Sequence, residues 1–184
     1  MNTMAQQIKI NSGALILAAA LITLTSFSQT SHSGEVEAEV TNNAAALKGI
    51  SAANDQFYEA LNAVFTGNVE PMKAIWSHGD DISYRGPFND NLDGWTAIGK
   101  QFDDVAQMKI GGRVACMDMI VRAGQDLGYT VCVEQGNNES TDGKPVEVSQ
   151  RATNIFRLED GQWKLVHHHT DISPQLEQAF SVPK

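Results

Sequence analysis

The chain has 184 residues and a formal net charge of −9, and no cluster of Lys or Arg occurs anywhere along it. That balance argues against nucleic acid and anionic lipid surfaces as partners. The length suits one domain with a real hydrophobic core once the N-terminal segment is set aside.

Residues 1–12 are mostly polar and carry one cation, Lys9. An apolar run from Gly13 to Leu24 follows, then Ser26-Phe27-Ser28 with small residues at cleavage-site spacing. This pattern is that of a secretory signal peptide covering residues 1–28, and the apolar run is too short to span a bilayer. The expected location is therefore secreted or periplasmic, with no membrane association after cleavage. Residues 29–43 are polar and read as a flexible leader, so the folded domain is expected over residues 44–172.

Ala44 to Phe65 places Leu47, Ile50, Phe57, Leu61, Val64 and Phe65 at steps of three, four and seven, the pattern of an amphipathic helix. Glu70 to Trp76 predicts a second short helix, with Pro71 tolerated in its first turn. Asp81 to Tyr84 predicts a short strand, 86–91 a loop of turn formers, and Thr96 to Ala106 a third helix with Ile98, Phe102 and Val105 buried.

After Lys109 the periodicity becomes that of strands. Arg113–Val121 and Leu127–Gln135 predict one hairpin, and Gly136 to Gly143 a polar loop. Val146–Leu158 and Trp163–Asp171 predict a second hairpin closed at Asp160-Gly161, a strong hairpin signal. Helices followed by an antiparallel meander point to an α+β fold. Residues 173–184 read as a tail that stops at Pro174.

Alternation assigns faces to these strands. In the first hairpin Ala115, Met117, Met119, Val121, Tyr129, Val131 and Val133 form an apolar set expected to face the helices. Cys116, Asp118, Thr130, Cys132 and Glu134 are then expected outside. With the turn centred on Gly124, Cys116 and Cys132 oppose each other, which suits either a cross-strand disulfide or two unpaired small residues. In the second hairpin, Ala152, Asn154, Phe156, Trp163, Leu165, His167 and His169 are expected inside, and His168 outside. A slip of one residue would invert either assignment.

Asn54…Phe57-Tyr58-Glu59-Ala60-Leu61, Trp76, Gly94-Trp95…Ile98 and 151–156 followed by Asp160-Gly161-Gln162-Trp163…His167-His168-His169 together resemble the SnoaL-like group. That group belongs to the nuclear transport factor 2-like, or ketosteroid isomerase-like, superfamily. The resemblance covers residues 44–172, and the Asp-Gly-x-Trp-x-x-x-His-x-His ending is its most specific piece. It implies a cone-shaped roll: a curved antiparallel sheet wrapped around three N-terminal helices, with a central cavity. It also implies dimers formed through the outer face of the sheet. The superfamily contains many activities, so function has to be argued from the site.

Three roles are open for His167 and His169: general acid or base, metal ligands, or structural hydrogen bonding. The inward face offers no third ligand, so no metal is expected. Tyr58 or Tyr84 is placed to act as an oxyanion donor, as a tyrosine does in ketosteroid isomerases. No inward carboxylate stands out. Tyr84, Trp95, Tyr129 and Asn154 complete the expected ligand-binding set. The expected ligand is a small apolar or aromatic molecule, bound without a cofactor by a homodimeric protein. Proton transfer of an isomerase or cyclase kind would use His167 or His169 with Tyr58. The alternative is a non-catalytic assembly module using the outer sheet face.

Overall fold

The structure is a computed structural model; it describes residues 32–140 and 143–180, with side chains from residue 43 onward. The expected signal peptide lies outside the described residues. The elements run α1 (His32–Phe65), α2 (Glu70–Ile75), β1 (Ser83–Arg85), β2 (Leu92–Asp93), α3 (Trp95–Met108), β3 (Arg113–Ala123), β4 (Leu127–Glu139), β5 (Pro145–Glu159), β6 (Gln162–Thr170) and α4 (Pro174–Ala179). The strands form one sheet in the order β2-β1-β6-β5-β4-β3, antiparallel except where β1 runs parallel to β6.

The sheet curves around the apolar faces of α1, α2 and α3. Ile50, Phe57 and Val64 of α1 recur every seven residues and are fully buried, as are Met72, Ile98, Phe156 and Leu165. Side chains of this size each contribute about 1.5–3 kcal/mol when withdrawn from water. Trp76 follows α2 and packs its ring against Tyr84 and Phe102. α+β architecture is present, as the order of predicted elements implies, and so is a cone-like roll, as the family resemblance implies.

Several boundaries differ from expectation. α1 begins at His32, inside the segment expected to be a leader. β4 continues to Glu139, so part of the expected polar loop is strand. The segment after Ser173 is not a bare tail. Pro174 occupies the first turn of α4, where its missing N–H costs nothing, and the Ser173 side chain accepts from the Leu176 amide. Leu176 and Phe180 are buried, and Phe180 meets Phe88 edge to face.

The strand faces differ more deeply. In the first hairpin Cys116 pairs with Glu134 and Met117 with Val133, after which Ile120 pairs with Val131. One extra residue has entered β3 near Asp118, whose φ is 53°. Thr130, Cys132 and Glu134 are buried against the helices, whereas Met117 and Tyr129 are each 44% exposed on the outer face. The more polar side of β4 is therefore the inner one. Cys116 is not opposite Cys132, and both thiols are free.

The second hairpin starts as expected, with Leu158 opposite Trp163 and Phe156 opposite Leu165. Val166 is then an extra residue, so Ile155 pairs with His167 and Asn154 with His168. Leu165 and Val166 are both buried, and the alternation restarts one residue out of phase. His168 points into the cone; His167 and His169 do not.

Candidate functional site

The cone encloses a cavity of about 50 Å³. Its apolar wall includes Leu61, Phe65, Phe102, Val114 and Val148, with Phe88 and Leu176 closing one side; its polar residues include Tyr84, Glu134, Gln150 and His168. A larger groove of about 640 Å³ lies over α1, α2 and the start of β6, but it is open to solvent and lined by small residues such as Ala52 and Ala74 together with exposed polar ones such as Gln56, Glu59 and Gln162. The convergent polar chemistry is in the smaller cavity.

Glu134 is 3% exposed and has both oxygens occupied. The Tyr58 hydroxyl donates to Oε1 at 3.0 Å, and the Gln150 amide donates to Oε2 at 2.8 Å. These donors favour the ionised carboxylate, but burial opposes it more strongly and pushes Glu134 up to about 7. Tyr58 is held far above its ordinary value, by burial first and by the neighbouring carboxylate second, so it is a donor and never a phenolate at neutral pH.

His168 stands across from this carboxylate, with Nε2 4.0 Å from Glu134 Oε1. Burial pulls the imidazole down to about 3, helped by the charges of His167 and His169, so the ring is neutral. Its Nδ1 lies 2.6 Å from Asn154 Oδ1. Asn154 donates in turn to Asn54 Oδ1 at 2.9 Å, which also accepts from Thr130 at 2.7 Å. The ring is clamped between Phe57 and a stacked Tyr84, whose centroids lie 5.0 and 5.4 Å away. Chemically, the site pairs a carboxyl that titrates near neutrality with an uncharged imidazole in an apolar enclosure. Such a carboxyl can both take and give a proton at neutral pH. Among the described residues no group of three or more His, Cys, Asp or Glu is placed to hold a metal ion.

Comparison with known proteins bears on the same segment. A SnoaL-like domain model matches residues 50–173. The chain belongs to the SnoaL-like family. Comparison with curated proteins finds no match. Among solved structures, it is similar to a candidate dehydratase of the nuclear transport factor 2-like family from Streptomyces avermitilis, at 21% identity and a TM-score of 0.62, over 70% of this chain and 97% of that one. A candidate association domain of a calcium/calmodulin-dependent protein kinase type II from Thiobacillus denitrificans aligns at 24% identity and a TM-score of 0.53, over 67% and 94%. A candidate ketosteroid isomerase from Shewanella frigidimarina aligns at 15% identity and a TM-score of 0.54, over 65% and 92%. At these identities the likeness shows the fold alone.

Within this SnoaL-like cone the expected site residues scatter. Tyr58, Tyr84 and Asn154 are buried around His168 and Glu134. His167 and His169 lie on the outer face because of the extra residue at Val166, and His167 Nδ1 is 2.7 Å from Ser83 Oγ. Tyr129 also lies on the outer face, since β4 has the opposite parity to that expected. Trp95 stacks on His78 at 4.1 Å and does not line the cavity.

Glu134, Gln150 and His168 were not expected at the site. A signal for the first existed: β4 and β5 pair without interruption from Leu127↔Arg157 to Glu139↔Pro145. Thr130 opposes Asn154 and Glu134 opposes Gln150 in that ladder, and directly opposed residues share a face. An inward Asn154 therefore requires an inward Thr130 and Glu134.

Proposed function

We propose that this protein binds a small, largely apolar molecule in its cone and moves a proton on it, with Glu134 as the group that takes and returns the proton. The observation that carries this is a carboxyl, buried at a cavity wall and raised to about 7, with an uncharged imidazole 4.0 Å away. Perturbed carboxyls in apolar clefts are where enzymes place acid–base chemistry. The role expected of His167 and His169 passes to His168, which fixes the ligand rather than titrating. Tyr58 holds the Glu134 carboxylate, and Tyr84 faces the bound molecule. The cavity is smaller than the roughly 300–1,000 Å³ of drug-sized sites, so entry involves displacement of Leu176 and Phe88 at its side. No step in this scheme calls for a cofactor.

The test is a binding screen of small apolar and aromatic compounds by native mass spectrometry and thermal shift, followed by proton–deuterium exchange into any hit. Retained binding with exchange abolished in Glu134→Gln supports the scheme. Exchange that survives Glu134→Gln removes Glu134 from the chemistry.

A second reading, in which the sheet's outer face serves assembly, is favoured by one observation. Met117, Ile120, Leu127 and Tyr129 are large apolar residues exposed on the outer side of β3 and β4. They support a homodimer through that face. Sedimentation of wild type against Tyr129→Glu tests it, with a shift to monomer expected. Residues 1–28 support export to the periplasm or beyond, checked by N-terminal sequencing of protein from its own host.

A further inference from the structure

The polar groups of the cavity have a directed hydrogen-bond sense. Asn54 is fully buried, and its amide nitrogen lies 3.2 Å from Met119 Sδ and 3.6 Å from Cys116 Sγ. A thioether cannot donate, so the nitrogen must face the sulfurs and Oδ1 must face Thr130 and Asn154. That oxygen accepts, so Asn154 presents its NH₂ to Asn54 and its own Oδ1 to His168. His168 therefore carries its hydrogen on Nδ1, and Nε2 is left as a lone pair on the side of Glu134.

Gln150 is oriented by the same logic. An ionised carboxylate only accepts, so Gln150 gives its NH₂ to Glu134 Oε2. Its carbonyl oxygen Oε1 is buried and has no partner among the described residues, although Gln150 is 7% exposed and lines the cavity. Buried acceptors of this kind are ordinarily satisfied. The residues lining the cavity thus carry two acceptors without a donor, Gln150 Oε1 and His168 Nε2, together with the Tyr84 hydroxyl, which can give or accept.

We propose that the polar lining of the cavity is built for a neutral hydroxyl group, so that the ligand presents an alcohol or phenol hydroxyl there and not a ketone, aldehyde or carboxylate, while the C–H on which Glu134 acts lies elsewhere on the same molecule. This rests on the cavity being the binding site. A hydroxyl gives its hydrogen to Gln150 or His168 and accepts from Tyr84. A ketone has no hydrogen to give and leaves both acceptors bare. A carboxylate adds negative charge beside Glu134. An ammonium can donate, but it loses its hydration against a mostly apolar wall.

The test uses the full chain at about pH 8.5, where Glu134 is ionised, and shape-matched probes: cyclohexanol against cyclohexanone, phenol against benzoate, and cyclohexylamine. Titration calorimetry is expected to give the hydroxyl compounds at least about ten-fold tighter binding than their partners, since unmet buried acceptors discriminate strongly. Gln150→Met should reduce that margin to below about three-fold; if the variant does not fold, the wild-type comparison decides alone. Equal or tighter binding of cyclohexanone or benzoate, or tighter binding of cyclohexylamine than cyclohexanol, overturns the proposal while leaving the cavity a binding site. Failure of all five probes to bind overturns the cavity reading and the alcohol with it. Nitrogen-15 spectra of the ligand-free protein supply an independent check. They should show His168 protonated at Nδ1 only, and a hydrogen on Nε2 would overturn the proposal.

Discussion

Asn154 Oδ1 accepts from His168 Nδ1 at 2.6 Å, and this contact decides which histidine of the three belongs to the interior. Both residues are buried to within 3% and sit opposite each other across β5 and β6. Their bond orders the imidazole without charging it.

His168 should therefore stay neutral wherever the protein is folded. Its ring signals in NMR spectra are expected to show no titration between about pH 5 and 8, since burial holds it down to about 3. A midpoint above about pH 5.5 would contradict this placement. The depressed value means that His168 favours folding above its unfolded pKa, near 6.5, and loses that contribution as pH falls towards 3.

Glu134 works in the opposite direction. Its folded value is raised from 4.5 to about 7, so its contribution is intact below 4.5 and is lost as pH rises through 7. Glu134→Gln keeps the shape and removes the titration. Relative to wild type, the variant should gain about 3 kcal/mol between pH 4.5 and 8. Melting temperatures of both proteins across that range check it; a difference that does not grow with pH counts against a buried, titrating Glu134.

Asn54 holds the hydrogen-bonded chain together from α1. Asn54→Ala strands the Thr130 hydroxyl and the Asn154 amide in the interior, at about 1–3 kcal/mol each. A loss of about 3 kcal/mol, or roughly 6–12 °C in Tm, is expected by thermal denaturation. Thr130→Val, which deletes one donor and keeps its volume, should cost about 1 kcal/mol.

α4 covers the cavity through Leu176. Leu176→Ala should cost about 2–3 kcal/mol and leave the cavity more accessible. Faster and stronger uptake of an apolar fluorescent dye by the still-folded variant is the expected outcome. Unchanged uptake would place the entrance elsewhere.

The order of elements was legible because long periodic segments state their own type. Ile50, Phe57 and Val64 mark α1, and Asp160-Gly161 marks the β5–β6 hairpin. Tyr58, Tyr84 and Asn154, singled out from the sequence, lie buried around His168 and Glu134. The faces of β3 and the end of β6 were not legible, because Asp118 and Val166 each insert one residue that alternation cannot register. On β4, the apolar Val131 and Val133 drew the inward assignment, while the inner positions are held by Thr130 and Glu134, whose hydrogen bonds come from α1 and β5. Hydrophobicity is a poor guide where a cavity wall is deliberately polar. α4 was hidden by its six residues, too few to show a period.

The extra residue at Val166 makes the histidine triplet a matter of chain length as much as chemistry. Were Val166 drawn into the ladder opposite Ile155, the bulge would close and each histidine would move one partner along, turning His168 outward and His167 and His169 to the cavity side. A protein built this way can exchange the polarity of its interior for that of its exterior without altering a single side chain. Insertions and deletions in the last strand are therefore as consequential for related sequences as substitutions, and alignments that slide a gap across this stretch would match residues that face opposite ways.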